Sequence, residues 1–457
     1  MTSLPLDRLD DRSSNGIALA IGRLISTGEL SSGSQLPTVR AVASQLGVSP
    51  TTVSECWRIL QSHGAIETNG RRGTFVRGVR QGMAPGRYWQ VPVDPGTFAI
   101  DLSTGTPDPA LLPPIGPLLH QAPKNLPVTS YLDAPVLEDL GAHLRSGWPF
   151  EPELLTIVDG AQDALDRLVN ALVNVGDVVL INTPAFPPVL DMLEQAGARV
   201  VGVSMDGEGL VPAALEAACA LEPVALFLQP RAHNPTGITM SNARCEALAS
   251  ILENTTMTIV EDDHSGDVSG APLHSLGAYL PDQVVHIRSF SKSHGPDLRL
   301  AALGGAATPI DLVVRRRRLG PSWSSRLLQQ LLLQMLTDPI TIQAVAKADT
   351  EYSRRRALLV GALAKRDVLV GGTSGINLWV PVDDEQVALV VLASHGIGAA
   401  PGAPFAAGST VGPTDSLRQS VREQQHIRIS FGAISEGFEQ LAEAIAVAAT
   451  ATSSRAR

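Results

Sequence analysis

Apolar positions recur with helical spacing through the first eighty residues. In NGIALAIGRLISTG, Ile17, Ala20, Ile21, Leu24 and Ile25 share one face, and the pattern ends at Gly28. Thr38 is placed to cap a second helix carrying Val39, Val42, Ala43 and Leu46, which Gly47 stops. Ser49 caps a third, PTTVSECWRILQSHG, with Pro50 at the one helical position that tolerates it. Val53, Trp57 and Leu60 form its apolar stripe, and Thr51, Thr52 and Ser54 face outward. AIETNGRRGTFVRG predicts two strands around a turn with Arg71 and Arg72 at its tip. Helix, short turn, helix and hairpin make a winged helix-turn-helix over residues 1–78. Such a unit offers one helix to the major groove of DNA and its wing to phosphate or the minor groove.

The pattern then changes. VRQGMAPGRYWQVPVDPGTF is rich in Gly and Pro and has neither period, which predicts a solvated linker over residues 79–100. From residue 101 to 450, apolar runs of strand length alternate with helical ones. TIVDGAQDALDRLVNALVNVGDVVLINTP reads strand, turn, helix, strand, and VALFLQP, MTIVEDD, VVHIRSF and LAALGGA are further buried strands. This predicts an α/β body with a large, mostly parallel sheet, whose ligand groups lie at the strand ends. TSGINLWVPV and HIRISFG predict a smaller α+β unit, and residues 451–457 a disordered tail.

Charge changes the picture only when divided by segment. The chain of 457 residues carries a formal net charge of −10, but nine arginines against six acids give residues 1–80 a charge of +3. A basic head therefore sits on an acidic body, as expected of a nucleic-acid module joined to a small-molecule domain. Cys56, Cys219 and Cys245 are widely spaced, which gives neither a disulfide framework nor a metal site and suits a reducing cytoplasm. No apolar run is long enough to predict a membrane span or signal peptide.

Chemistry gathers at the strand ends. Lys292, in RSFSKSHGPDLR, follows an apolar strand and is suited to a Schiff base with an aldehyde. Asp262 ends TIVEDD, where a buried carboxylate needs a partner such as a pyridinium nitrogen. Asn234, in HNPTG, can donate an amide hydrogen bond to a phenolate. Gly160, Ala161 and Gln162 open a helix directly after a strand, an anion cradle. Ser289, Ser291 and Arg299 bracket Lys292 with further phosphate donors, and Phe186 offers a face for a flat ring. Each has a plainer reading: Asp262 and Asp263 as a loop cap, NPTG as a common turn, Lys292 as a surface group. Their joint order along the chain describes pyridoxal phosphate.

Two resemblances bear on this. GELSSGSQLPTVRAVASQLGVSPTTVSECWRIL followed by GTFV resembles the winged helix of the GntR family of bacterial regulators. That resemblance implies that Arg40, Ser49, Thr51, Thr52 and Gly73 lie at the DNA. Many members have arginine where this chain has Pro50. GAQDAL, PAFPP, HNPTG, EDDHS, SFSKSHGPDLRL and RISFG resemble class I aminotransferases of fold type I. This second resemblance implies that Lys292 carries the cofactor aldehyde, Asp262 pairs with the ring nitrogen and Asn234 holds the ring oxygen. It implies further that Arg428 receives an effector carboxylate and that Tyr131, in TSYLDAP, reaches the neighbouring subunit's phosphate site. His264 stands where that family usually has a tyrosine that donates to the ring oxygen; an imidazole can donate too, but it ordinarily titrates near neutrality. Val136 and Gly141 replace the usual Gly and Arg after Tyr131.

A GntR-like head on an aminotransferase-like body resembles the MocR (GabR-like) family. The resemblance implies a pyridoxal-phosphate-dependent regulator that binds operator DNA as a head-to-tail homodimer. An amino acid or amine would displace Lys292 and thereby alter DNA binding. A working aminotransferase with an accessory head uses the same residues, so turnover stays open, and a cofactor-free repressor with the body as scaffold is a third reading. Arg315–Arg318 read as a solvated helix face, and His286 and His294 as packing or proton-relay groups.

Overall fold

A computed structural model of the chain describes residues 4, 9, 11–26, 29–30, 33–62, 66–68, 73–76, 86–87, 98–120, 130, 132–411 and 425–452. Arg71, Arg72 and Tyr131 lie outside them, as do most of the expected linker and most of the expected tail.

The head follows its apolar pattern. Helices α1 (Ser14–Ser26), α2 (Val39–Leu46) and α3 (Pro50–Ser62) precede strands β1 (Ile66–Thr68) and β2 (Thr74–Val76). The Thr38 hydroxyl accepts from the Ala41 N–H, and Gly47 ends α2 at φ 66°, left-handed backbone that glycine adopts without a Cβ penalty. Ile17, Ile21, Val42, Leu46, Val53, Trp57 and Leu60 close one core with Ile66 and Val76 of the antiparallel hairpin. Cys56, on the same stripe as Val53 and Leu60, is buried with them.

The body is built on one sheet. Its strands lie in the order Thr410–Val411, Arg199–Asp206, Val178–Thr183, Ala225–Leu228, Thr258–Asp263, Val284–Ser289, Ala301–Gly305, Leu154–Val158. Neighbours from Thr410–Val411 through Val284–Ser289 are parallel, and Ala301–Gly305 runs antiparallel to both its neighbours. Alternate residues point to opposite faces. Leu180, Leu226 and Ile259 enter one core, and Ile181, Phe227 and Val260 enter the other. Both faces are covered, so the strands read as unbroken apolar runs. The long helix Pro339–Ala364 joins this domain to a smaller one: Val345 and Tyr352 pack on the large side, Leu359 and Leu363 in the small core. There Asn377–Val382 and Ala400–Pro401 flank Gln425–Ser430, both antiparallel to it.

Two expectations change. Arg87, read as part of a solvated linker, is tied to the body: its guanidinium reaches Asp191 and Glu194, each at 2.6 Å, and its N–H donates to Asp191 at 2.7 Å. Both acids belong to the helix Pro187–Gln195. The Arg315–Arg318 run is not wholly solvated either. Arg317 is 1% exposed and donates to the Ile157 carbonyl, Ser324 and Asp159, because helical spacing turns it inward with Val313 and Val314. It thereby braces the strand end just before Gly160. Truncating Arg317 removes three bonds and leaves a buried gap, although Ser324 still donates to the Ile157 carbonyl and Asp159 reaches solvent. Arg317→Ala should lower unfolding free energy by about 1–3 kcal/mol in denaturant titrations. Arg316→Ala, at an exposed position, should stay within about 0.5 kcal/mol.

Candidate functional site

Parallel strands that run the same way end at one edge, and the following loops build the site there. A cavity of about 300 Å³ is lined by Ala161, Gln162, Phe186, Asn234, Asp262, His264, Ser289, Ser291, Lys292, Arg299 and Arg428. Gly160 stands beside it: at φ 102° it precedes the helix Ala161–Leu172, and a Cβ there would lie 3.6 Å from Arg299 Nη2. This corner joins helix N–H groups, two hydroxyls and a guanidinium, the donor set of an anion site.

Asp262 and Asp263 are adjacent on a strand, so they face opposite ways. Asp263 turns from the cavity and pairs bidentately with Arg231, at 2.7 and 2.9 Å. Burial pushes Asp263 up, but the Arg231 hydrogen bonds and charge outweigh it and hold the carboxyl below its usual range. Asp262 faces the cavity and is 4% exposed. Gln229 Nε2 donates to its Oδ2 at 2.8 Å, while buried Oδ1 has no hydrogen-bond partner among the described residues. Burial raises this carboxyl to about 6, against the Gln229 hydrogen bond and the Lys292 charge. Gln229 Oε1 also accepts from the Asn234 N–H at 2.8 Å, so one amide fixes both Asp262 and the HNPTG turn.

Lys292 sends its amine into the cavity, where burial lowers it to about 8; Asp262 opposes that shift and the Arg428 charge adds to it. Its Nζ is 3.1 Å from His264 Nδ1. His264 Nε2 is 2.9 Å from the Ala232 carbonyl. Burial first, then the Lys292 charge, hold His264 well below the usual histidine range, so it does not titrate near neutrality. Arg428, on the strand Gln425–Ser430, is engaged by the protein itself. It donates to Asn234 Oδ1 at 3.4 Å and to the Ser103 carbonyl, and its guanidinium lies 5.2 Å from the Phe405 ring centroid.

The donor set suits a phosphorylated pyridine aldehyde: an amine, a buried carboxylate oxygen in want of a cationic partner, an amide and an anion corner. Among the described residues, no group of three or more His, Cys, Asp or Glu could hold a metal. His286 and His294 are not cavity groups: His286 bonds buried Glu261 at 3.0 Å and His294 bonds Ser293 at 2.8 Å.

On the head, Arg40, Ser49 and Thr51 are exposed and Thr52 half-buried. The Ser49 hydroxyl accepts from the Thr52 N–H at 3.1 Å, capping α3. Gly73, at φ 105°, lies where a Cβ would come within 2.5 Å of Gln35 Nε2. Sequence reasoning missed Gln229, Arg231 and the Gly105–Pro107 wall of the cavity. A polar Gln closing the apolar run VALFL was the signal for the first; Gly105–Pro107 has none.

Residues 13–76 match the model of the bacterial regulatory proteins of the gntR family, and residues 99–445 that of aminotransferase class I and II. The vitamin B6 salvage pathway transcriptional repressor PtsJ of Salmonella typhimurium is 34% identical over 85% of this chain and 90% of its own length. The transcriptional regulator TauR of Rhodobacter capsulatus is 28% identical over 92% of this chain and 94% of its own. An archaeal alanine:glyoxylate aminotransferase superposes with a TM-score of 0.67 at 23% identity, covering 77% of this chain and 90% of that one, which fixes the body's fold. A GntR-type head and a class I/II aminotransferase body, with relatives named as transcriptional regulators covering most of the chain, make it a member of the MocR-like family of transcriptional regulators.

Proposed function

We propose that the protein regulates transcription in response to the state of pyridoxal phosphate at the Lys292 cavity. The observation that carries this is the buried Asp262 Oδ1, without a hydrogen-bond partner among the described residues, facing the same cavity as the Lys292 amine. When bound, pyridoxal phosphate supplies an aldehyde that can pass between Lys292 and an incoming amine. Asp262 pairs with the ring nitrogen, Asn234 donates to the ring oxygen and Phe186 stacks on the ring. Ser289, Ser291, Arg299 and the N–H groups of Gly160–Gln162 hold the phosphate, joined by Tyr131 of the partner subunit. Arg428 receives an effector carboxylate by exchanging its bond to Ser103. Arg40, Ser49, Thr51, Thr52, Arg71, Arg72 and Gly73 meet the operator.

The division into 1–78, 79–100, 101–450 and 451–457 belongs to this reading, as do a cytoplasmic location and a head-to-tail homodimer. Leu132 is 94% exposed and Leu327 63%. Asp133 and Arg326, their chain neighbours, are bonded at 3.2 Å, which brings the two segments together; exposed leucines on both are what a contact with a second copy would cover. Arg87 supports communication between the ends, since the helix it grips begins beside Phe186.

A second reading draws on the PtsJ name: pyridoxal phosphate itself is the signal, with no amine needed. That Arg428 is already bonded within the protein favours it. Visible spectra of the cofactor-loaded chain, titrated with amino acids and amines, separate the cases. Amine sensing predicts that one compound shifts the band and the shift persists; vitamin sensing predicts no shift. Bleaching that a keto acid restores would mean transamination. Lys292→Ala should abolish the borohydride-stable adduct, and an adduct surviving at another lysine would refute the assignment.

Asp262 gives a pH test. Its folded value, about 6, lies above the unfolded value of 3.8. The stability it contributes is therefore present below 3.8 and lost as pH rises through about 6. Asp262→Asn should remove that fall, on the order of 1–3 kcal/mol in cofactor-free melts. The same variant should bind pyridoxal phosphate at least about tenfold more weakly.

A further inference from the structure

His264 lies against Lys292, and its protonation pattern follows from its partners. Nε2 is 2.9 Å from the Ala232 oxygen. A carbonyl only accepts, so Nε2 carries the hydrogen. Ala232 is held in place: its backbone is left-handed at φ 47°, its N–H donates to Thr239 Oγ1 at 3.0 Å, and its Cβ lies 2.9 Å from where a Cβ at Gly375 would fall. A non-glycine residue stays in that conformation only where its surroundings impose it. The carbonyl is thus a fixed acceptor, and it fixes the ring.

A neutral imidazole has one N–H, so Nδ1 is left as an acceptor. It meets Lys292 Nζ at 3.1 Å and the Ser265 hydroxyl at 3.4 Å. Among the described residues, Lys292 Nζ has no other hydrogen-bond partner except the His264 carbonyl, at 3.5 Å. The charged and titratable groups whose fields act on the pair are Asp262, which faces it, Asp263, turned away to Arg231, Arg428 from the small domain and His233 from the HNPTG turn. His233 is buried and neutral, its value lowered to about 3 by burial.

We propose that His264 is the positioning residue for Lys292, accepting one amine hydrogen at Nδ1 and so aiming the amine lone pair into the cavity. The proposal rests on the reading of Lys292 as the amine that meets an aldehyde there. It also gives His264 a role opposite to that of a phenol at this position. Locked as an Nε2–H tautomer, the ring has no hydrogen to give a phenolate, and the Asn234 amide is the donor that remains.

The test uses formaldehyde and cyanoborohydride on the full-length chain with no pyridoxal phosphate added. Methylation of Lys292 is followed by peptide mass spectrometry across pH. Formaldehyde takes the vitamin's place, so the result stands even if pyridoxal phosphate proves not to bind. The wild-type rate should rise with a midpoint near pH 8, as the lowered Lys292 amine implies. In His264→Asn the amide oxygen takes the position of Nδ1, and the plateau rate should stay within about twofold of wild type. His264→Gln puts its polar end where Nε2 lies, and His264→Phe has none; both plateaus should fall about tenfold. A Phe variant that matches wild type, or an Asn variant that falls as far as Phe, would overturn the proposal. If the variants do not fold, ¹⁵N spectra of ring-labelled wild-type protein decide: a protonated Nε2 upholds it and a protonated Nδ1 overturns it.

Discussion

The constraint on which the site depends is a carboxylate removed from water with half its hydrogen-bonding capacity unmet. Asp262 is held at one oxygen by Gln229 and left open at the other, facing the cavity. Such a group is costly alone and stable with a cation. The surroundings all serve to keep it there. The parallel sheet brings it to the same edge as Lys292, Gln229 ties it to the Asn234 turn, and Arg231 removes its neighbour Asp263 to the far face. A protonated pyridine ring, as proposed, would complete the arrangement, whereas an anion or a ligand with no hydrogen to donate would leave the cost in place.

Much of this was legible in the chain because the physics is local or periodic. Strands covered on both faces appear as unbroken apolar runs, and the caps at Thr38 and Gly47 are single-residue chemistry. Strand ends were equally readable: Asp262, Asn234, Lys292 and Gly160 each follow an apolar run, and the fold brings them to one cavity edge. What depended on distant partners was not legible. Arg317 sits in a run of four arginines, and only packing against Ile157 and Ser324 distinguishes it from the others. The His264 tautomer depends on a carbonyl 32 residues away in sequence. Arg87 looked like linker because its acids lie 104 and 107 residues further on.

The Arg87 contact also ties the segment that follows the head to the body. The helix Pro187–Gln195 starts at Phe186 in the cavity and carries the acids that Arg87 grips. In the proposed regulator, a ligand that moves Phe186 would act on the segment leading to the winged head. Coupling of this kind requires that a ligand bind two arrangements of the chain unequally, and the DNA must do the same.

The most direct measurement is the affinity of the full-length chain for DNA selected by it from a random library, with and without saturating pyridoxal phosphate, at fixed salt. Arg40→Ala serves as the control that binds DNA weakly but keeps the cofactor. A regulator of the kind described changes its DNA affinity by about fivefold or more on loading, with cofactor affinity changing reciprocally when DNA is bound. Equal affinities in the two states, with cofactor demonstrably at Lys292, would contradict it and leave a DNA-binding head that does not sense its own body.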